Sequence, residues 1–94
     1  MEHSVKRTAF DVDGHQFEVI LDVGGKWNGM AHVVDLEKLY TDPDPDGVHR
    51  HEIVLSGARW DGHRLNVSPH HVYRDDYIAV VEPATVALRK MTQA

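Results

Sequence analysis

Apolar residues fall on every second position in the stretch from His15 to Val23, where His15, Phe17, Val19, Leu21 and Val23 share one side and Gln16, Glu18 and Asp22 lie between them. Strict alternation of this kind marks a strand with one face buried. Ser4 to Val12 alternates more loosely, with Phe10 and Val12 on a common face. Between the two stretches stands Asp13-Gly14, the pair favoured in two-residue hairpin turns because both positions need positive φ. Closing a hairpin there pairs Val12 with His15, Phe10 with Phe17 and Thr8 with Val19, so that one apolar face runs across both strands. Gly24-Gly25 ends the hairpin, and Lys26-Trp27-Asn28-Gly29 forms the next turn.

The pattern changes character from Met30 to Tyr40. Met30, Val33, Leu36 and Tyr40 recur at helical spacing, whereas Ala31 to Val34 suits a strand; the reading that meets both is a strand or turn to about Val34, then helical turns through Leu39. Prolines 43 and 45 stop any helix there. Glu52 to Leu55 is strand-like, and Ala58-Arg59-Trp60 leads into a second Asp-Gly pair at 61–62. A two-residue turn at that pair sets Trp60 opposite His63 and Ala58 opposite Leu65, with Val67 on the same face and Trp60 in the core. Ser68-Pro69 has the form of an N-cap followed by proline at the first helical position, giving a single turn over His70 to Arg74. Tyr77 to Val81 is continuously apolar and is predicted to be a strand buried on both faces. Glu82-Pro83 then opens a last helix along Ala84, Ala87, Leu88 and Met91, with Arg89 and Lys90 near its C-terminus.

Together these elements predict an α+β, mostly antiparallel β fold in a single domain spanning 1–94: a small bent sheet or partly open barrel with two Asp-Gly hairpins and a short C-terminal helix. The stretches Asp13–Val19 and Asp61–Val67 share the pattern D-G-H-polar-apolar-polar-Val, 48 residues apart. The similarity fades beyond the valines, which favours two independent hairpins over an ancient duplication.

Composition narrows the function classes. The chain of 94 residues is long enough to bury its own core. It has no cysteine, which excludes disulfides and thiolate chemistry and fits a reducing compartment. No apolar run reaches the length of a membrane span, and Met1 to Arg7 lacks the apolar core of a signal peptide, so the expected address is the cytoplasm. The net charge of −5 is divided unevenly: residues 1–47 hold ten acids against four bases, and residues 48–94 five acids against six bases. An acidic chain is a poor match for nucleic acid, although Arg50, Arg59, Arg64, Arg74, Arg89 and Lys90 lie in the same half as Trp60, Tyr73 and Tyr77.

At the boundary of the halves stands Thr41-Asp42-Pro43-Asp44-Pro45-Asp46-Gly47. Carboxylates on alternate residues beside Tyr40 make a charged recognition loop, and the leading expectation is a small binding or regulatory module of inhibitor or adaptor type that contacts another protein through Tyr40, Asp42, Asp44 and Asp46. Unpaired strand edges in so short a sheet also invite homo-oligomers. The alternative is a divalent metal. Asp42, Asp44, Asp46 and Gly47 match the first half of a D-x-D-x-D-G calcium loop, but the closing acid falls on Ile53, with Glu52 one place early, and prolines occupy the second and fourth positions. His49 and His51 project together from an extended chain and, with His63, His70 or His71, could offer nitrogen ligands to zinc or nickel. His15 and His63 are expected on inner faces as hydrogen-bonded, partly buried side chains. Ser68, His70, His71, Asp75 and Asp76 contain the residue types of a hydrolytic triad without its spacing, and with no nucleophile elbow or phosphate-binding loop the chain is not expected to be an enzyme, an unrecognised small enzyme standing as the second alternative.

Overall fold

In the computed structural model, which describes residues 2–93, the alternating stretches become a meander. Its strands are β1 (Ser4–Val12), β2 (His15–Val23), β3 (Met30–Leu39), β4 (His51–Trp60) and β5 (Leu65–Asn66), followed by a 3-10 turn (Pro69–His71) and one helix, α1 (Tyr77–Thr92). The strands lie in the order β1-β2-β3-β4-β5 in a single antiparallel sheet, curled as a half-barrel, and α1 closes its inner face. No helix among the described residues is long and apolar enough to cross a membrane.

The first hairpin has the predicted register, with Val12 opposite His15, Phe10 opposite Phe17 and Thr8 opposite Val19. Asp13 (φ 49°) and Gly14 (φ 86°) both take the left-handed conformation that a tight primed turn demands. Phe10 and Phe17 stack with ring centroids 5.7 Å apart. Phe17, Val19 and Leu21 of β2 meet Ala31 and Val33 of β3, Val54, Leu55 and Ala58 of β4, and Leu65 of β5, all buried against the helix.

Three expectations are corrected. Met30–Leu39 is strand throughout, not a strand giving way to a helix at Val34. The β-branched pair Val33-Val34 is flanked by β2 on one side and β4 on the other, and the helix-like spacing arises where β3 slips register, with residues 36–38 unmatched between the pairs Asp35–Glu52 and Leu39–His51. Tyr77–Val81 is not a buried strand but the first turns of α1, and Pro83 lies inside the helix rather than at its start. Val80, Ala84 and Leu88 are completely buried at four-residue spacing, so one apolar stripe runs straight through the proline. The second Asp-Gly pair does not form a two-residue turn. Trp60 pairs with Leu65, leaving Asp61–Arg64 as a four-residue loop, and Asp13 is the one non-glycine residue with positive φ among the described residues. The Asp61 carboxylate instead accepts the backbone N–H of His63 at 2.8 Å and of Arg64 at 2.9 Å, and the Asn66 amide at 3.2 Å. These bonds, that from Arg64 first, bring its pKa down to about 2. His63 is therefore exposed in a loop, not on an inner face, and the shared D-G-H pattern serves two different turns. Trp60 does pack against the core, partly buried.

Curvature comes from β4. Between Ala31 and Val34 it carries two more residues than β3 needs, one near Gly57 and one at Val54. The Val54 carbonyl accepts the N–H groups of Tyr73 and Arg74, tying the segment before α1 to the bend. Gly57 has φ 63°, and a Cβ there would lie 2.9 Å from Cγ of His71, an atom at the root of its ring. Gly57→Ala is therefore expected to cost about 1–3 kcal/mol through left-handed strain and overlap. Urea unfolding reads this directly, and an unchanged midpoint would show that the bend relaxes without cost.

Candidate functional site

The connection Tyr40–Arg50 between β3 and β4 is built around one of its acids. Tyr40 N–H donates to the Arg50 carbonyl at 2.9 Å, closing the loop, and Gly47 N–H donates to the Asp44 carbonyl at 2.9 Å. Asp44 Oδ1 accepts the backbone N–H groups of Asp46 and Val48, each at 3.0 Å, and Oδ2 accepts Nε of Arg50 at 2.8 Å. The N–H of Val48 above all, then that of Asp46 and the Arg50 guanidinium, hold the Asp44 carboxyl below its usual range against a smaller opposing effect of burial. Proline at 43 and 45 narrows the backbone choices around it. Asp44 thus faces inward as the loop's keystone, while Asp42 and Asp46 are exposed beside the exposed side chains of Leu39, Tyr40 and Val48.

The metal expectation meets the following geometry. Glu52 lies 3.9 Å from Nε of Arg74. His49 and His51 are brought together, but His63, His70 and His71 do not join them; His71 packs at Gly57. Among the described residues no three His, Asp or Glu side chains are placed to hold a metal ion.

What His49 and His51 do share is a trough of about 320 Å³ on the outer face of the sheet, the face away from α1. Its floor is Ile20, Val34 and Ile53; its walls are His32 and His51; and the loop leans over it with Tyr40, Val48, His49 and Arg50. The register explains the assembly: Arg7 lies opposite Ile20 and Ile20 opposite His32, while Glu18 lies opposite Val34 and Val34 opposite Ile53. Ile20 and Val34 are only 7% and 8% exposed although they face away from the core. Burial lowers the pKa of His32, opposed by the charges of Asp22 and Glu18 and reinforced by Arg7. Nδ1 of His51 is buried with no hydrogen-bond partner among the described residues. Arg7 reaches Glu18 only at 3.9 Å. Sequence reasoning missed Arg7, Glu18, Ile20, His32 and Val34 as neighbours of His51, since alternation gives their faces but not the strand order.

A second polar cluster lies at the inner face. Asp35 is fully buried. Its Oδ1 lies 2.7 Å from Nε2 of His15 and accepts the Glu37 N–H at 2.9 Å, and its Oδ2 accepts Nη1 of Arg74 at 2.5 Å. Arg74 also grips Asp76 with Nε and Nη2 at 3.0 and 2.5 Å. His15 is half-buried and hydrogen-bonded as expected, its ring tilted over Phe17 at 4.7 Å. This network joins β2, β3 and the residue preceding α1, and every oxygen of Asp35 is committed to it, so it reads as a structural staple. Of the triad-type residues, Asp76 is held by Arg74, while Ser68 caps the 3-10 turn through its carbonyl, which accepts the His71 N–H. The basic residues of the second half are likewise dispersed: Arg50 on Asp44, Arg74 on Asp35, and Arg89 on the His63 carbonyl.

The chain matches no protein family, and no curated protein or solved structure compared with it is similar.

Proposed function

We propose that this chain is a small cytoplasmic binding module, not a catalyst, and that it engages a partner protein through the Leu39–Arg50 loop. The observation that carries the reading is a loop fixed from within by Asp44 that leaves Leu39, Tyr40 and Val48 exposed, at 53%, 42% and 52%, beside the free carboxylates of Asp42 and Asp46. Apolar and aromatic side chains carried on a backbone already fixed spare the ordering of that backbone on binding, and flanking acids select a basic surface. Asp44 serves the loop's shape; Tyr40, Asp42 and Asp46 make the contact. The free edge of β1, nine residues without proline, suits pairing with a second copy of the chain.

The variant Tyr40→Ala/Asp42→Asn/Asp46→Asn tests this. All three side chains are exposed, so its unfolding midpoint should stay within the range of ordinary surface changes, about ±0.5 kcal/mol. Wild type and variant serve as paired baits in extract of the native cell, and the affinity of any recovered partner is then measured with both. A partner that binds the variant at least about tenfold more weakly supports the reading. Equal recovery of every partner by the two baits overturns it.

A further inference from the structure

The trough beneath the loop has features that a protein-binding rim does not need. It is concave, at about 320 Å³ near the lower end of small-ligand pockets, with an apolar floor and a few convergent polar groups. A buried imidazole nitrogen without a partner is costly, and native proteins rarely leave one so unless something else meets it. His51 Nδ1 is such an atom. Beside it stand His49 and Arg50, the latter 67% exposed at its side chain with N–H groups left over from its bond to Asp44. Arg7 at the other end is only loosely balanced by Glu18. Each guanidinium is set against one carboxylate, Arg7 against Glu18 and Arg50 against Asp44, but Arg7 approaches its partner only at 3.9 Å and Arg50 keeps N–H groups that Asp44 does not take, so donors remain for an oxyanion, and Ile20, Val34 and Ile53 give the trough a surface for an apolar body.

We propose that the outer-face trough binds a small organic monocarboxylate, its carboxylate at His51 Nδ1 and Arg50 and its apolar body on Ile20, Val34 and Ile53. The site is separate from the exposed rim of Tyr40, Asp42 and Asp46 in chemistry, though Tyr40 borders both. A bound acid would brace the loop from below, so ligand and partner protein would be coupled through one loop. Metal chemistry is the competing use of three imidazoles in one trough, but they do not converge on a common point.

Phenylacetate and hexanoate are the probes, titrated into the full chain while backbone amide and histidine-ring NMR resonances are followed. The expected result is saturable, one-to-one binding of at least one of them, with the shifts concentrated at His32, His51, Val34 and Ile53. Phenylacetamide, which keeps the shape and loses the charge, should bind at least about tenfold more weakly than phenylacetate. His51→Phe removes the nitrogen while keeping a planar ring, and should weaken the acid by a similar factor while leaving the amide unchanged; the comparison of acid with amide on wild-type protein stands even if that variant does not fold. No saturable shift from either acid, shifts scattered over other surfaces, or equal binding of acid and amide would each overturn the proposal. Loss of partner capture in Asp42→Asn/Asp46→Asn, neither residue lining the trough, with acid binding intact would separate this site from the protein-binding surface.

Discussion

Replacing Arg74 by methionine is expected to destabilise the fold by about 3–5 kcal/mol, the cost of removing one partner from a buried charge pair. At roughly 4–8 °C per kcal/mol in a domain of this size, the thermal midpoint should fall by more than about 10 °C. Asp35 has no exposed surface, and without the guanidinium its Oδ2 would stay buried as an unmet charge. Arg74 also fixes Asp76 at the start of α1, so the same change loosens the helix that closes the core. Asp35→Asn/Arg74→Met should lose less than the two single changes added together, because removing both charges leaves neither stranded. Strict additivity in urea unfolding would show that the pair is not coupled. The pH dependence has a definite sign. Burial alone would raise the Asp35 carboxyl, but the bonds from Arg74, His15 and the Glu37 N–H outweigh it and hold the carboxyl below its usual range. A carboxyl lowered in the folded state adds stability above its ordinary pKa of about 4 and loses that contribution as pH falls through the lowered value. Asp35→Asn should therefore flatten the acid side of the stability profile below about pH 4, and an unchanged acid side would place the responsible carboxylates elsewhere.

The same cluster shows what a single sequence conveys. His15 was legible as a half-buried, hydrogen-bonded histidine because it sits in a strict alternation one residue beyond a tight turn, and the register of β1 on β2 followed from that turn. Its partner was not legible. Asp35 falls where Met30–Tyr40 mixes two periods, and the slip over residues 36–38 disguised a strand as helical spacing. Arg74 lies 39 residues further on, and nothing local points from one to the other. The run Tyr77–Val81 misled for a different reason: five apolar residues fit a buried strand as well as a helix, and only the continuation through Ala84, Thr85 and Leu88 distinguishes them, across a proline that ordinarily marks a helix start. The loop acids were legible as a group, but which of them faces inward was not, because that depends on where Val48 and Arg50 bring their donors. The trough is least legible of all. It takes one or two residues from each of four strands, and although alternation assigns each to a face, only the strand order β1-β2-β3-β4 places Arg7, Ile20, His32 and His51 side by side.

Leu88→Ala is expected to cost about 2–5 kcal/mol, the range for a buried leucine whose surroundings cannot fully collapse. Leu88 is completely buried and belongs to the stripe Val80, Ala84 and Leu88 by which α1 covers the sheet. Its neighbour on that stripe, Ala84, is already small, so leucine supplies much of the volume at its end of the interface. Ile78 on the same helix is 72% exposed, and Ile78→Ala should stay within about 0.5 kcal/mol. Near-equal losses at the two positions in urea unfolding would show that the helix does not dock on this stripe. The two faces of the sheet make a further distinction. The helix covers the inner face and the trough opens on the outer one, so the cavity left by Leu88→Ala does not touch the trough. Provided the variant is still folded at the temperature of measurement, phenylacetate should raise its midpoint by the same free energy as in wild type, since a ligand that binds only the folded state stabilises according to its concentration and affinity. Stabilisation that vanished with Leu88 while the variant remained folded would mean that the probe occupies the core beside the helix and not the outer face.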